Sequence, residues 1–246
     1  MAETPDTPVL TAFPTTDAAP VHLRRSPLAH LAEALAAGSR SETAAEPGLT
    51  LREVPFLTMV GLRATPDGEA AAAFSSVLGV ELPAGVGRVT GAAHVTDRGP
   101  APGVEDSTAA AAGTAAGSDP GHGTAVLWLG PDEHLVVAAP ELPLAGRLQE
   151  ALGAAPGAAV DLSANRTTLE LTGARARDVL DTGCRIDLHP REFPPGTAVA
   201  TLFAEIPVIV WRCGEESYRI MPRASFADHV ARRLLDGMRE FTGREA

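Results

Sequence analysis

The sequence predicts an α+β fold of two units, each an antiparallel sheet with helices packed on one face. Three observations carry this. Strand-like and helix-like stretches interleave along the 246 residues. Most strand runs are joined by short links, which suit antiparallel neighbours better than parallel crossovers. Hydrophobic residues make up 45% of the chain, enough for a sizeable core. The length suits two units with a seam near Gly157. The expected division is a structureless tail over residues 1–25, a first unit over 26–157 interrupted by a flexible insertion at 97–123, and a second unit over 158–246.

The tail is rich in Thr, Pro and Ala with scattered acids. It lacks the basic start and unbroken apolar core of a signal peptide. Ser26-Pro27 opens a helix, with serine capping the free amides and Leu28, Leu31, Ala32 and Leu35 forming one face before Gly38 stops it. Leu49–Ala64 alternates as a strand broken or bent at Pro55. Asp67 is the expected cap of a second helix, with Phe74, Val77 and Leu78 inward and Gly79 as its stop.

From Asp97 to Gly123 periodicity and large apolar groups disappear. Such a stretch cannot bury enough surface to offset its ordering entropy. Thr124–Leu129 and His134–Ala138, joined by Gly130-Pro131-Asp132-Glu133, then read as a hairpin, and Leu144, Leu148 and Leu152 as a helix. Ala158–Leu162 and Thr167–Thr172 are strands around the turn Ser163–Arg166. In the second, Leu169 and Leu171 alternate with Thr168, Glu170 and Thr172, so that the polar face meets solvent or a partner. A short helix at Ala174–Leu180, three strands between Ala198 and Met221, and a last helix opened by Ser225 complete the chain. Phe226, Val230, Leu234, Met238 and Phe241 make that helix's inward stripe, while Asp228 and Arg232 pair on its outer face.

The formal net charge of −11 and the absence of a basic stripe argue against nucleic-acid binding. Every cation is an arginine. The two cysteines, Cys184 and Cys213, stand outside any CxxC spacing, and no apolar run reaches a membrane span, so a reducing cytoplasm is the expected compartment. No GxGxxG or Walker loop occurs, and the histidines lack HExxH or CxxC companions. Cys184 with His189 is the one nucleophile–base pair close in sequence, although a cysteine after a helix-ending glycine also reads as buried filler. The expected sites are therefore catalytic none, cofactor none and metal none.

Recognition is the better-supported role. Gly183–Gly196, GCRIDLHPREFPPG, has three prolines that fix their own φ and hold the preceding residues extended. This stiff connector is expected to display Asp187, His189, Arg191 and Phe193, with Phe193 as the exposed anchor. Arg166 and Arg223, beside turns, complete the candidate partner interface, because a planar guanidinium suits a partner's carboxylates. Trp128 and Trp211, inside strand runs, read as core.

The series RRSPLAHLAEAL, VLWLGPDEHLVVA, AVDLSANRTTLELTGARARDVLDTGCRIDLHPREFPPGTAVATL and VIVWRCGEESYRIMPRASFADHVARRLLD resembles the gamma subunit of heterotetrameric sarcosine oxidase. Its most specific pieces are WLGPDE, GCRIDLHPREFPPG and RASFADH. The tail, the insertion and Ala164-Asn165 depart from the family pattern. The resemblance implies a fold similar to folate-binding aminomethyltransferase domains. It also implies a non-catalytic subunit that stabilises a complex with alpha, beta and delta partners, which hold FAD, FMN, NAD and zinc. That complex would oxidatively demethylate sarcosine to glycine, with formaldehyde or methylene-tetrahydrofolate and hydrogen peroxide as products. The alternative is a free-standing folate-binding, aminomethyltransferase-like protein.

Overall fold

The computed structural model describes residues 24–40, 48–92 and 123–242. The expected tail apart from Arg24 and Arg25, and the expected insertion apart from Gly123, lie outside the described residues. The strands are β1 (Leu49–Val54), β2 (Thr58–Arg63), β3 (Val89–Gly91), β4 (Ala125–Gly130), β5 (Glu133–Ala138), β6 (Ala158–Asp161), β7 (Thr168–Gly173), β8 (Thr197–Phe203), β9 (Ile206–Gly214) and β10 (Ser217–Pro222). The helices are α1 (Ala32–Gly38), α2 (Glu69–Leu78), α3 (Leu144–Leu152), α4 (Ala176–Asp181) and α5 (Ala227–Thr242).

The strands form two five-stranded antiparallel sheets, ordered β1-β7-β10-β9-β8 and β3-β4-β5-β2-β6. They stack face to face, with α1, α4 and α5 covering the outer face of the first and α2 and α3 that of the second. Three apolar layers follow from the period-two alternation of the strands. Leu169, Leu171, Val210 and Ile220 point toward α1, α4 and α5. Ile209, Trp211 and Met221 meet Met59, Leu127 and Leu135 between the sheets. Val60, Leu62, Val126 and Val136 pack under Phe74 and Leu148.

The sheets do not divide at Gly157. Strand β1 pairs with β7 in the later sheet, and β6 pairs with β2 in the earlier one. Two crossings cause the interleaving. At Pro55-Phe56 the chain leaves one sheet for the other, with Phe56 at φ 62°. At Ser163–Arg166 it returns, where the Ser163 hydroxyl accepts the Met59 N–H at 3.0 Å and the Met59 carbonyl accepts the Leu162 N–H at 2.8 Å. The junction of β1 and β7 is tight: Gly173 holds φ 128°, and a Cβ there would lie 2.0 Å from the Gly48 carbonyl oxygen.

Two expected caps take other roles. The Ser26 hydroxyl donates to the Glu53 carboxylate at 2.6 Å instead of closing a helix, and α1 is preceded by a 3-10 turn at Ala29–Leu31. Gly68 stands at the amino-terminal cap of α2, while Asp67 sits just outside it at φ 61°. Phe226 also departs from expectation. It falls in a 3-10 turn before α5, out of phase with the helix's inward stripe, and is 41% exposed.

Candidate functional site

The connector between α4 and β8 is rigid for reasons beyond its prolines. The Asp187 carboxylate accepts the His189 N–H at 2.8 Å, and the His189 carbonyl accepts the N–H groups of Glu192 and Phe193, both at 2.9 Å. His189 Nδ1 accepts the Arg191 N–H at 3.2 Å. These bonds fold the connector back on itself, with two opposite faces. Asp187, His189 and Arg191 are exposed, as expected. Phe193 is not the exposed anchor: it is 3% exposed and packs with Leu188 into the layer under α4 and α5. The turn closed on His189 aims the ring inward, and the Phe193 carbonyl accepts from the buried Arg212 guanidinium at 2.8 Å. At its start the connector is tied to the tip of the β8–β9 hairpin. Cys184 bridges to Phe203, and Arg185 pairs with Glu205. That tip, Ala204-Glu205, has positive φ at both residues, the geometry of a two-residue turn that follows strand twist.

Arg166 and Arg223 are brought together, apart from the other four interface residues. Their backbones form an isolated antiparallel bridge, and the Asn165 carbonyl accepts the Ala224 N–H at 2.9 Å. Arg166 donates to the Met221 carbonyl at 2.9 Å. Burial first, and the neighbouring Arg223 charge second, lower its pKa from the usual guanidinium value. Arg223 is exposed beside the exposed Phe226. This pair follows the Pro222–Val208 end of the β10–β9 ladder, whereas Arg212, bound to the Phe193 carbonyl, stands opposite Tyr218 nearer its other end. The six candidate interface residues therefore form two groups.

Neither cysteine is poised as a nucleophile. Burial raises the Cys184 pKa, opposed only in part by backbone hydrogen bonds from Ile186 and Arg185, so the thiol stays protonated. Burial pushes Cys213 up to about 12. Among the described residues, no group of three or more His, Cys, Asp or Glu side chains is arranged to hold a metal ion.

Thr168 and Glu170 on the polar face of β7 are buried within the chain, whereas that face was expected to meet solvent or a partner. Glu170 is 6% exposed and accepts from Arg219 at 3.0 and 3.1 Å and from Arg52 at 2.7 and 2.9 Å. Arg219, fully buried, lies 5.5 Å from the Trp211 ring centroid. Trp211 is core, as expected. Trp128 instead forms part of a cleft wall, paired across the hairpin with the buried His134.

Known proteins resemble this chain in sequence and in fold. The sarcosine oxidase, gamma subunit family matches residues 103–240. "Sarcosine oxidase subunit gamma" of Corynebacterium sp. (strain U-96) is 46% identical over 223 residues, covering 91% of this chain and 94% of its own length. The Arthrobacter sp. protein of the same name is 45% identical, covering 89% and 92%. Among solved structures, a chain of the heterotetrameric sarcosine oxidase from Corynebacterium sp. U-96 in complex with pyrrole 2-carboxylate superposes with a TM-score of 0.75, covering 91% of this chain and 99% of that one. Aminomethyltransferase T of the glycine cleavage system from Bartonella henselae shares the fold alone, at 15% identity, a TM-score of 0.54, and coverage of 85% and 56%.

Proposed function

The chain belongs to the sarcosine oxidase gamma-subunit family, and from that premise we propose that it contributes shape, not reactivity, to a larger flavin enzyme. Its partners in this reading are alpha, beta and delta subunits, and the assembly oxidatively demethylates sarcosine to glycine. The other products are hydrogen peroxide and formaldehyde or methylene-tetrahydrofolate. FAD, FMN, NAD and zinc belong to the partner subunits. The residues of this chain fit that division: its sequence has no glycine-rich dinucleotide loop, and no three ligating side chains converge among those described. One observation carries the reading, the match over 91% of this chain and 99% of a chain of a heterotetrameric enzyme. No helix among the described residues is long and apolar enough to cross a membrane, and we place the complex in the cytoplasm.

Expressing the partner subunits with and without this chain tests the role. Reduced assembly and flavin content in its absence is the expected result; unchanged assembly, flavin content and turnover would defeat it. Within the chain, Asp187, His189 and Arg191 on the connector are proposed as one docking group, and Arg166 with Arg223 as another. Replacing Arg191 by Ala should weaken co-purification of the partners while leaving the fold intact, since its side chain is exposed. The rival role, a free-standing folate binder, calls for saturable tetrahydrofolate binding by the chain alone, and calorimetry with no heat of binding removes it.

A further inference from the structure

Two arginines are held side by side where the turn Ser163–Arg166 meets the residues before α5. Arg166 and Arg223 form an antiparallel backbone bridge, and the Asn165 carbonyl accepts the Ala224 N–H at 2.9 Å. Arg166 is half-buried and fixed by its 2.9 Å bond to the Met221 carbonyl, while Arg223 is exposed. Like charges so placed repel, and the Arg223 charge adds to burial in lowering the Arg166 pKa. Two carboxylates of the neighbourhood are engaged elsewhere. Asp161 accepts the N–H and the hydroxyl of Ser163 at 2.9 and 2.6 Å, and Glu133, whose charge favours the Arg166 guanidinium, pairs with Arg63 at 3.5 Å. Among the described residues neither Arg166 nor Arg223 has an ion pair. Along α5, by contrast, acids stand at helical spacing: Arg232 meets Asp228 at 2.8 Å and Arg233 meets Asp236 at 2.9 Å.

Apolar groups flank the pair. Phe226, 41% exposed, is pinned next to Arg223, whose carbonyl accepts the Phe226 N–H at 2.9 Å. Val160, on the strand that leads into the turn, is 52% exposed. These are two of the four large hydrophobic residues that stand exposed among those described. A backbone fixed before contact leaves little ordering entropy to be lost on binding. Unanswered cations call for negative charge from outside a chain whose own formal net charge is −11. A free anion would leave the apolar flank uncovered, whereas a peptide segment brings carboxylates and hydrocarbon together.

We propose that Arg166, Arg223 and Phe226 receive an acidic segment of another subunit, whose carboxylates pair with the two guanidinium groups and whose apolar side chain covers the Phe226 ring. This rests on the reading of the chain as a subunit of a larger enzyme, and it names what the second docking group receives. The sequence contains no lysine, so Arg223→Lys places a single lysine amine on the surface. Carbodiimide treatment of the assembled complex should join that amine, as an amide, to a carboxylate of another subunit, and peptide mass spectrometry then identifies the segment. Arg223→Glu should weaken retention of the partner subunits by about tenfold or more, and Phe226→Ser by a smaller factor. Both side chains are exposed, so thermal unfolding of the chain should match the parent in each variant. Retention of the partners by Arg223→Glu equal to that of the parent overturns the proposal. So does coupling of the introduced lysine only within this chain or to a second copy of it, or no coupling to another subunit. A parent chain that does not co-purify with the partners takes the subunit reading down as well; a parent that assembles alongside equally competent variants takes down this surface alone.

Discussion

The space between the two sheets is filled in two different ways. Around β9 it is apolar: Ile209 and Trp211 meet Met59, Leu127 and Leu135. Across β1, β7 and β10 the same inner face carries the ladder Arg52, Glu170, Arg219, with each residue opposite the next. One face, built by one period-two alternation, thus passes from a hydrocarbon interior to a row of charges. The apolar end gains stability in proportion to the area it removes from water. The charged end must offset a desolvation cost with close geometry, which the bonds of 2.7–3.1 Å around Glu170 supply. Trp211 belongs to both, packed in the apolar cluster with Arg219 over its ring.

The largest expected effects come from breaking either end. Trp211→Ala opens a cavity in the middle layer and should cost about 3–5 kcal/mol in denaturant unfolding. Trp211→Phe should cost far less, because the indole N–H it removes is buried without an acceptor. At the charged end, Glu170→Gln leaves buried guanidinium charge less well answered and should cost about 3 kcal/mol or more. Glu170→Leu combined with Arg219→Met should recover much of that loss. If the double variant is as unstable as the single, the charged row contributes net stability and the contrast between the two ends disappears.

Sequence periodicity located these elements better than it located their partners. The GPDE turn marked the β4–β5 hairpin, and the alternation in β7 correctly separated Leu169 and Leu171 from Thr168 and Glu170. What lies opposite each face is a long-range matter. β6 and β7 are neighbours in the chain yet join different sheets, because Leu162 and Ser163 are held on Met59, more than a hundred residues earlier. Residue type also misled where a turn reversed a side chain. Phe193, flanked by charges and prolines, is turned inward by bonds to the His189 carbonyl, and Phe226 is rotated outward by a 3-10 turn. The exposure of Arg191 and the Asp228–Arg232 pair were legible from local pattern alone. The cleft was not: its lining gathers residues between Pro66 and His134.

Thr168 sharpens the contrast at a smaller scale. It sits on the same inner face as Glu170, opposite Val54, fully buried and with no partner for its hydroxyl. Here the polar group lies on the apolar side of the boundary and receives nothing for its desolvation. Thr168→Val, close to it in shape, should therefore raise stability by about 1 kcal/mol. A loss of stability on thermal or denaturant unfolding would show that the boundary between the two ends is drawn in the wrong place.

The smallest effect belongs to an ion cluster of similar chemistry placed in water. Asp228 accepts from Arg232 at 2.8 Å and is 2.7 Å from His30 Nε2, joining the start of α5 to the turn before α1. Hydrogen bonds from Arg232, then His30, hold its pKa at about 2 against an ordinary 3.8. A carboxylate with a depressed folded-state pKa gives stability that is complete above the unfolded value and disappears as pH falls through the folded one. The advantage of the parent over Asp228→Asn should thus be flat at neutral pH, shrink between 3.8 and about 2, and vanish below. Because the cluster is exposed, that advantage should also fall as salt is raised. Glu170 and Arg219, both buried between the sheets, should show little salt dependence. Equal salt sensitivity in Asp228→Asn and Glu170→Gln would mean that water reaches both clusters, and that dryness is not what separates them.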